Sequence, residues 1–242
     1  MRGRVDGLVV MAPDVDASRA LRQAAGSVPI VLLNPEVQLA GCDTVSIGNV
    51  QGAAAAVRHL LGLGHRPIAT ITGPTQNIDG RQRLEGYRAA LQDAGIEASP
   101  DLEFHGDFTE RSGYTAALEL MRQQGRPSAI FVANDHMAVG VMGALQEVGM
   151  RVPDDIAIVG FDDIQVARYL TPALTTVHVD MLQMGERAVE LLLDPERTAA
   201  PPEGRHHVLS TRLVVRGSCG ASRPRGAGPA WDRGDPVRSV PR

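Results

Sequence analysis

Two stretches, Ala129-Ile-Phe-Val-Ala-Asn-Asp-His-Met-Ala-Val-Gly140 and Arg151-Val-Pro-Asp-Asp-Ile-Ala-Ile-Val-Gly-Phe-Asp-Asp-Ile164, decide the fold. In the first, an apolar run ends at Asn134-Asp135 and gives way to helical periodicity over residues 137–148, with Gly149 where a left-handed stop belongs. In the second, Ile156-Ala-Ile-Val-Gly-Phe runs unbroken to Asp162-Asp163. An apolar run without alternation fits a strand buried on both faces, as in a parallel sheet covered by helices. Working outward, similar runs occur at residues 7–11, 30–33 and 68–71. Helical patterns separate them at residues 18–25, 50–63, 83–94, 112–123 and 181–193. In the 50–63 segment Ala53, Ala56, Val57, Leu60 and Leu61 form one stripe, as a helix laid on a sheet requires. The class is α/β, built of doubly wound parallel sheet.

Composition narrows the chemistry. The 242 residues suffice for one large domain or two smaller lobes, and the 43% hydrophobic content suffices for a core. No apolar stretch reaches membrane-spanning length, and the start lacks the apolar region of a secretory signal. The expected location is therefore cytoplasmic, with no membrane partner. Cys42 and Cys219 stand too far apart in sequence to suggest a disulfide framework. The net charge of −4 gives no general attraction to nucleic acid. Every basic residue is arginine, which removes Schiff-base and phosphate-loop lysines together. No nucleophile elbow, zinc spacing or dinucleotide fingerprint is visible, so neither a metal, a cofactor nor catalysis is expected. The Gly-, Pro- and Arg-rich stretch 217–242 reads as a disordered tail.

Open α/β sheets bind ligands beyond the carboxyl ends of their strands. There the sequence gathers Asn34, Thr72-Gly73-Pro74, Asp107-Phe108, Asn134-Asp135 and Asp162-Asp163. Carboxylate and amide groups suit vicinal hydroxyls, and an aromatic face suits the apolar side of a sugar ring. Each residue also has a plainer role available. Asn134 or Asp135 can cap the helix that follows, one of Asp162 and Asp163 can order a turn, Phe108 can belong to the core, and Arg83 can be a surface charge.

The wording of the sequence resembles the effector domains of the lactose-repressor family. The resemblance rests on the two opening stretches, Val5-Asp-Gly-Leu-Val-Val, His59-Leu-Leu-Gly-Leu-Gly-His-Arg-Pro, Arg83-Leu-Glu-Gly-Tyr-Arg, Gly106-Asp-Phe-Thr and Leu174-Thr-Thr-Val, in unbroken order. It implies a two-lobed fold like that of periplasmic sugar-binding proteins. The N-terminal lobe would hold residues 5–46 and 179–205, and the C-terminal lobe 47–178 and 206–216. The ligand, a sugar or sugar-like effector, would lie between the lobes. Arg83, Phe108, Asn134 and Asp162 match effector contacts, with Asn34 as a further candidate. A homodimer would pair partly through Val139 and Leu170. The resemblance also implies that the helix-turn-helix headpiece, the hinge helix and the first two strand–helix units precede the matching region. Operator DNA would then be contacted only through that headpiece, which is expected to be absent here, leaving the N-terminal lobe incomplete. Two other readings stand beside this one: a stand-alone sugar-binding protein of transport type, and an α/β enzyme acting on a sugar or nucleoside.

Overall fold

The structure is a computed structural model and describes residues 5–11, 21, 23, 28–123, 125–195 and 204–221. The described residues form two compact units, and the expected helix over 18–25 lies outside them except for Leu21 and Gln23.

The smaller unit comprises the described residues of 5–48, 76–79 and 180–211. Its sheet has the order β1-β2-β3-β9, from β1 (Leu8–Met11), β2 (Ile30–Leu33), β3 (Asp43–Ile47) and β9 (His206–Leu209), all paired in parallel. The apolar residues Ile30, Leu32, Leu39 and Cys42 make its core. On β9 a run of four residues alternates exposed and half-buried, the signature of an edge strand rather than of a buried one.

The larger unit comprises the described residues of 49–75, 80–179 and 212–221. Its six strands run in the order β10-β8-β7-β6-β4-β5. They are β4 (Ile68–Thr72), β5 (Glu103–His105), β6 (Ala129–Val132), β7 (Ala157–Asp162), β8 (Thr175–His178) and β10 (Arg212–Val214). Only β10 is antiparallel to its neighbour. All residues of β4 and β6 are buried, as the unalternating runs predict for strands covered on both faces.

Five α-helices are described: α1 (Asn49–Gly62), α2 (Ile78–Asp93), α3 (Glu110–Arg122), α4 (Asp135–Glu147) and α5 (Met181–Leu193). Thr109 and Asn134 cap α3 and α4, each accepting the backbone N–H three residues on, so both helices begin about two residues before the apolar periodicity does. Helices α3 and α4 approach very closely. A methyl on Gly140 would strike the Glu110 carbonyl, and one on Gly113 would strike the Met137 carbonyl.

Two expected boundaries need correction. Residues 206–211 belong to the smaller unit, not to the C-terminal lobe, because His206 to Leu209 pair along β3 from Thr44 to Ile47. The disordered tail does not begin at 217. Ser218 and Cys219 are fully buried, and Gly217 N–H and Ser218 N–H both donate to Ala173 O. Ser218 Oγ donates to Ile158 O at 2.7 Å and accepts Thr175 N–H at 2.8 Å, stitching this segment to β7 and β8. A composition rich in glycine hides such bonds, since they use backbone and one small hydroxyl. The remainder of that segment, 222–242, lies outside the described residues.

Candidate functional site at the carboxyl edge of the larger sheet

Because β4 to β8 are parallel, the segments that follow β4, β5, β6 and β7 meet at one edge of the larger unit. Arg83, in the second turn of α2, reaches that edge and is only 5% exposed. Its Nε donates to Asn49 Oδ1 at 2.9 Å and its Nη1 to the Ala133 carbonyl at 2.6 Å. Its Nη2 pairs with Asp162 Oδ1 at 3.0 Å. The guanidinium carbon sits 3.9 Å from the Phe161 ring centroid and 5.9 Å from that of Phe108. The rigid, planar fork of arginine is what allows three partners and a stacked ring at once. This excludes the reading of Arg83 as a surface charge.

Asp162 ends β7 with its side chain 30% exposed, which leaves the Arg83–Asp162 pair open on one side. Phe108 is half-buried and packs against the core, with its ring so close to Gly73 that a Cβ there would overlap it. Asp107 fixes the turn that presents Phe108. Its carboxylate accepts the Thr109 hydroxyl at 2.6 Å and the Thr109 N–H at 3.0 Å. Those bonds to the charged form, led by the Thr109 and Ser112 side chains, hold its pKa down at about 2.

Among the described residues, four that are not glycine have positive φ: Asn34 (44°), Phe108 (70°), Asp162 (105°) and Asp163 (57°). Each stands just past, or at the end of, a strand, and three of them were singled out from the sequence as ligand contacts. Such backbone persists only where its surroundings impose it.

Asn134, Asp135 and Asn34 divide differently than sequence suggests. Asn134 spends both ends of its amide within the protein: Oδ1 accepts Met137 N–H at 2.9 Å, and Nδ2 donates to Phe108 O at 3.1 Å. It thereby ties α4 to the Phe108 turn. Asp135 is no cap, although it is fully buried. Asn34 lies in the smaller unit, and its Oδ1 accepts Ile47 N–H at 3.0 Å.

The sequence reading missed Asn49, Phe161, Thr176, His178 and Arg216. Arg216 pairs with Asp163, as does His178 at 3.0 Å. Asn49 also accepts no signal from spacing, because it opens α1 far from its partners in sequence; its Nδ2 donates to Gln82 Oε1 at 3.0 Å. Phe161 lay within an apolar run and offered no sign that its ring stacks on a cation.

Val139 and Leu170 are both half-buried, and Leu170 packs against the core. The fuller apolar exposure nearby belongs to Tyr169 at 71% and Val166 at 41%. Among the described residues, no group of three or more His, Cys, Asp or Glu is arranged to hold a metal ion.

The family of periplasmic binding protein-like domains matches residues 57–219. The ribose operon repressor of Escherichia coli (strain K12) is 39% identical over 220 residues, covering 90% of this chain and 66% of the repressor. Thus the chain spans slightly less than two thirds of that relative. A solved complex of the transcriptional regulator CelR with cellobiose superposes with a TM-score of 0.81 at 38% identity, covering 88% of this chain and 66% of that one. A regulatory protein of the LacI family from Chloroflexus aggregans gives 0.79 at 32% identity, covering 88% and 76%. The chain therefore belongs to the LacI family of transcription regulators, through their periplasmic-binding-protein-like domain.

Proposed function

We propose that the chain is the effector-binding and dimerising part of a transcription regulator, and that its effector is a small sugar taken at the Arg83–Asp162 edge. One observation carries this reading. A buried guanidinium, stacked on Phe161 and fixed by Asn49 and the Ala133 carbonyl, presents a partly exposed carboxylate beside the half-buried Phe108 ring. A sugar hydroxyl can donate to Asp162 and accept from Arg83, while the Phe108 ring covers the apolar ring face. The paired charges leave no net charge for an anion to neutralise, which suits an uncharged polyol.

Occupancy would be coupled to operator binding by the full-length protein, through a homodimer whose contacts include Val139, Leu170 and the exposed Val166 and Tyr169. Such a regulator works in the cytoplasm and turns over no substrate. The ribose operon repressor of Escherichia coli makes ribose the first probe, in its D form, and the cellobiose complex makes cellobiose the second. Isothermal titration of both sugars into the chain should give saturable heat with at least one of them, and neither sugar should be recovered chemically altered. Steady conversion of either sugar would instead favour the enzyme reading.

A further inference from the structure

Asp135 occupies the first turn of α4 but does not cap that helix, since Asn134 supplies the cap. Its carboxyl points at β7 and β8 instead. Oδ2 accepts the Ile164 N–H at 3.0 Å, and Oδ1 meets the Thr176 hydroxyl at 2.6 Å. Thr176 Oγ1 in turn accepts the Asp163 N–H at 3.4 Å. Space for this arrangement comes from Gly160, where a Cβ would overlap Asp135 Oδ1. Asp162 and Asp163, which immediately precede the anchored Ile164 N–H, are the consecutive pair with positive φ.

We propose that Asp135 is a positioning residue for the effector site, bridging Thr176 and the Ile164 N–H so that the Asp162-Asp163 turn stays left-handed and Asp162 faces Arg83. This rests on the reading of Arg83 and Asp162 as the effector-contacting pair. Arg216 and His178 grip the Asp163 carboxylate from another side, which orients that side chain but leaves the Ile164 N–H to Asp135.

The charged and titratable groups around Asp135 are Asp162 and Asp163, backed by Arg83, Arg216 and His178. Burial, opposed by the Thr176 bond and reinforced by the two carboxylates, raises its pKa to about 7. Both protonation states preserve the bridge. Ionised, Asp135 accepts from Thr176 and Ile164. Protonated, it donates to Thr176 Oγ1 and still accepts from Ile164. Asparagine can copy the second pattern, with its amide N–H on Thr176 and its carbonyl on Ile164.

The test is a set of ligand-free crystal structures of the full chain carrying Asp135→Ala, Asp135→Asn or Thr176→Val. Asp135→Ala should let the turn leave positive φ and move Asp162 beyond hydrogen-bond distance of Arg83, about 3.5 Å. Asp135→Asn should restore both features. If Asp135→Ala does not fold, Thr176→Val keeps the β-branched shape while removing the second anchor, and should release the carboxyl from Ile164. An intact Arg83–Asp162 pair on a left-handed turn in Asp135→Ala, or an unmoved Asp135–Ile164 bond in Thr176→Val, would overturn the proposal. The readout is geometric, so it stands apart from whether the wild type binds a sugar.

Discussion

Arg83 lies 3.9 Å above the Phe161 ring while its Nη2 pairs with Asp162 at 3.0 Å, so two consecutive residues of one strand end hold both the face and the edge of a single guanidinium. Alternating side chains on a strand normally point to opposite sides. Asp162, at the end of the strand, departs from extended backbone with a φ of 105°, and its carboxylate meets the same cation as the Phe161 ring.

From that relationship follows an unequal response to substitution. Arg83→Lys keeps the charge but cannot reach Asn49, Ala133 and Asp162 together, and should cost about 2–3 kcal/mol in urea unfolding. Arg83→Ala leaves buried acceptors unpaired and should cost about 3–5 kcal/mol. Equal stability of wild type and lysine variant would show that the fork geometry contributes nothing.

Asp135 predicts a pH dependence of stability. Its folded pKa, about 7, exceeds the ordinary 3.8. Below about pH 4 both states hold the proton. Between about pH 4 and 7 the folded state keeps a proton that the unfolded chain releases, so this group lowers stability as pH rises, by up to about 1.4 kcal/mol per unit. Above about pH 7 the loss levels off. Asp135→Asn removes the titration, so its advantage over wild type should grow across that window and then stay constant. Urea unfolding at several pH values checks this, and parallel profiles for the two proteins would refute it.

Gly140 should tolerate no side chain. Gly140→Ala would normally help a helix by up to about 1 kcal/mol through propensity. Here the added methyl meets the Glu110 carbonyl, a backbone atom that cannot rotate away. A net loss of about 2 kcal/mol or more is expected in thermal or chemical unfolding. At Gly143, where nothing lies within 4 Å, the same change should be neutral or mildly stabilising.

Ser218→Ala isolates the segment that composition misassigned. It deprives buried Thr175 N–H and Ile158 O of their hydroxyl partner and should cost about 1–3 kcal/mol. A change within a few tenths would mean that the segment adds little to the larger unit.

What was legible in the sequence follows from where each signal resides. The buried strands β4, β6 and β7 announce themselves because a strand covered on both faces needs no polar residue; Phe108 and Asp162 draw notice by their placement after strands and by family wording, whereas Arg83, on a helix, does so by family wording alone. Strand β9 did not, since an exposed edge of four residues has no apolar contrast with a loop. Nor did β10, three residues long and antiparallel at the other sheet's margin. Partner identity was the least legible layer. Asn49 meets Arg83 across 34 positions and Thr176 meets Asp135 across 41, distances at which only the folded chain makes neighbours. The choice between Asn134 and Asp135 as cap also awaited coordinates, because either side chain can accept a backbone N–H.

The central claim is that a sugar is held by the Arg83–Asp162 edge. Isothermal titration of D-ribose and cellobiose into wild type and Asp162→Ala, with circular dichroism to show that both proteins are folded, tests it most directly. The account predicts saturable binding to the wild type with at least one sugar, weakened at least about tenfold, or about 1.4 kcal/mol, in the variant. Undiminished affinity in folded Asp162→Ala, or no binding of either sugar to the wild type, would contradict it.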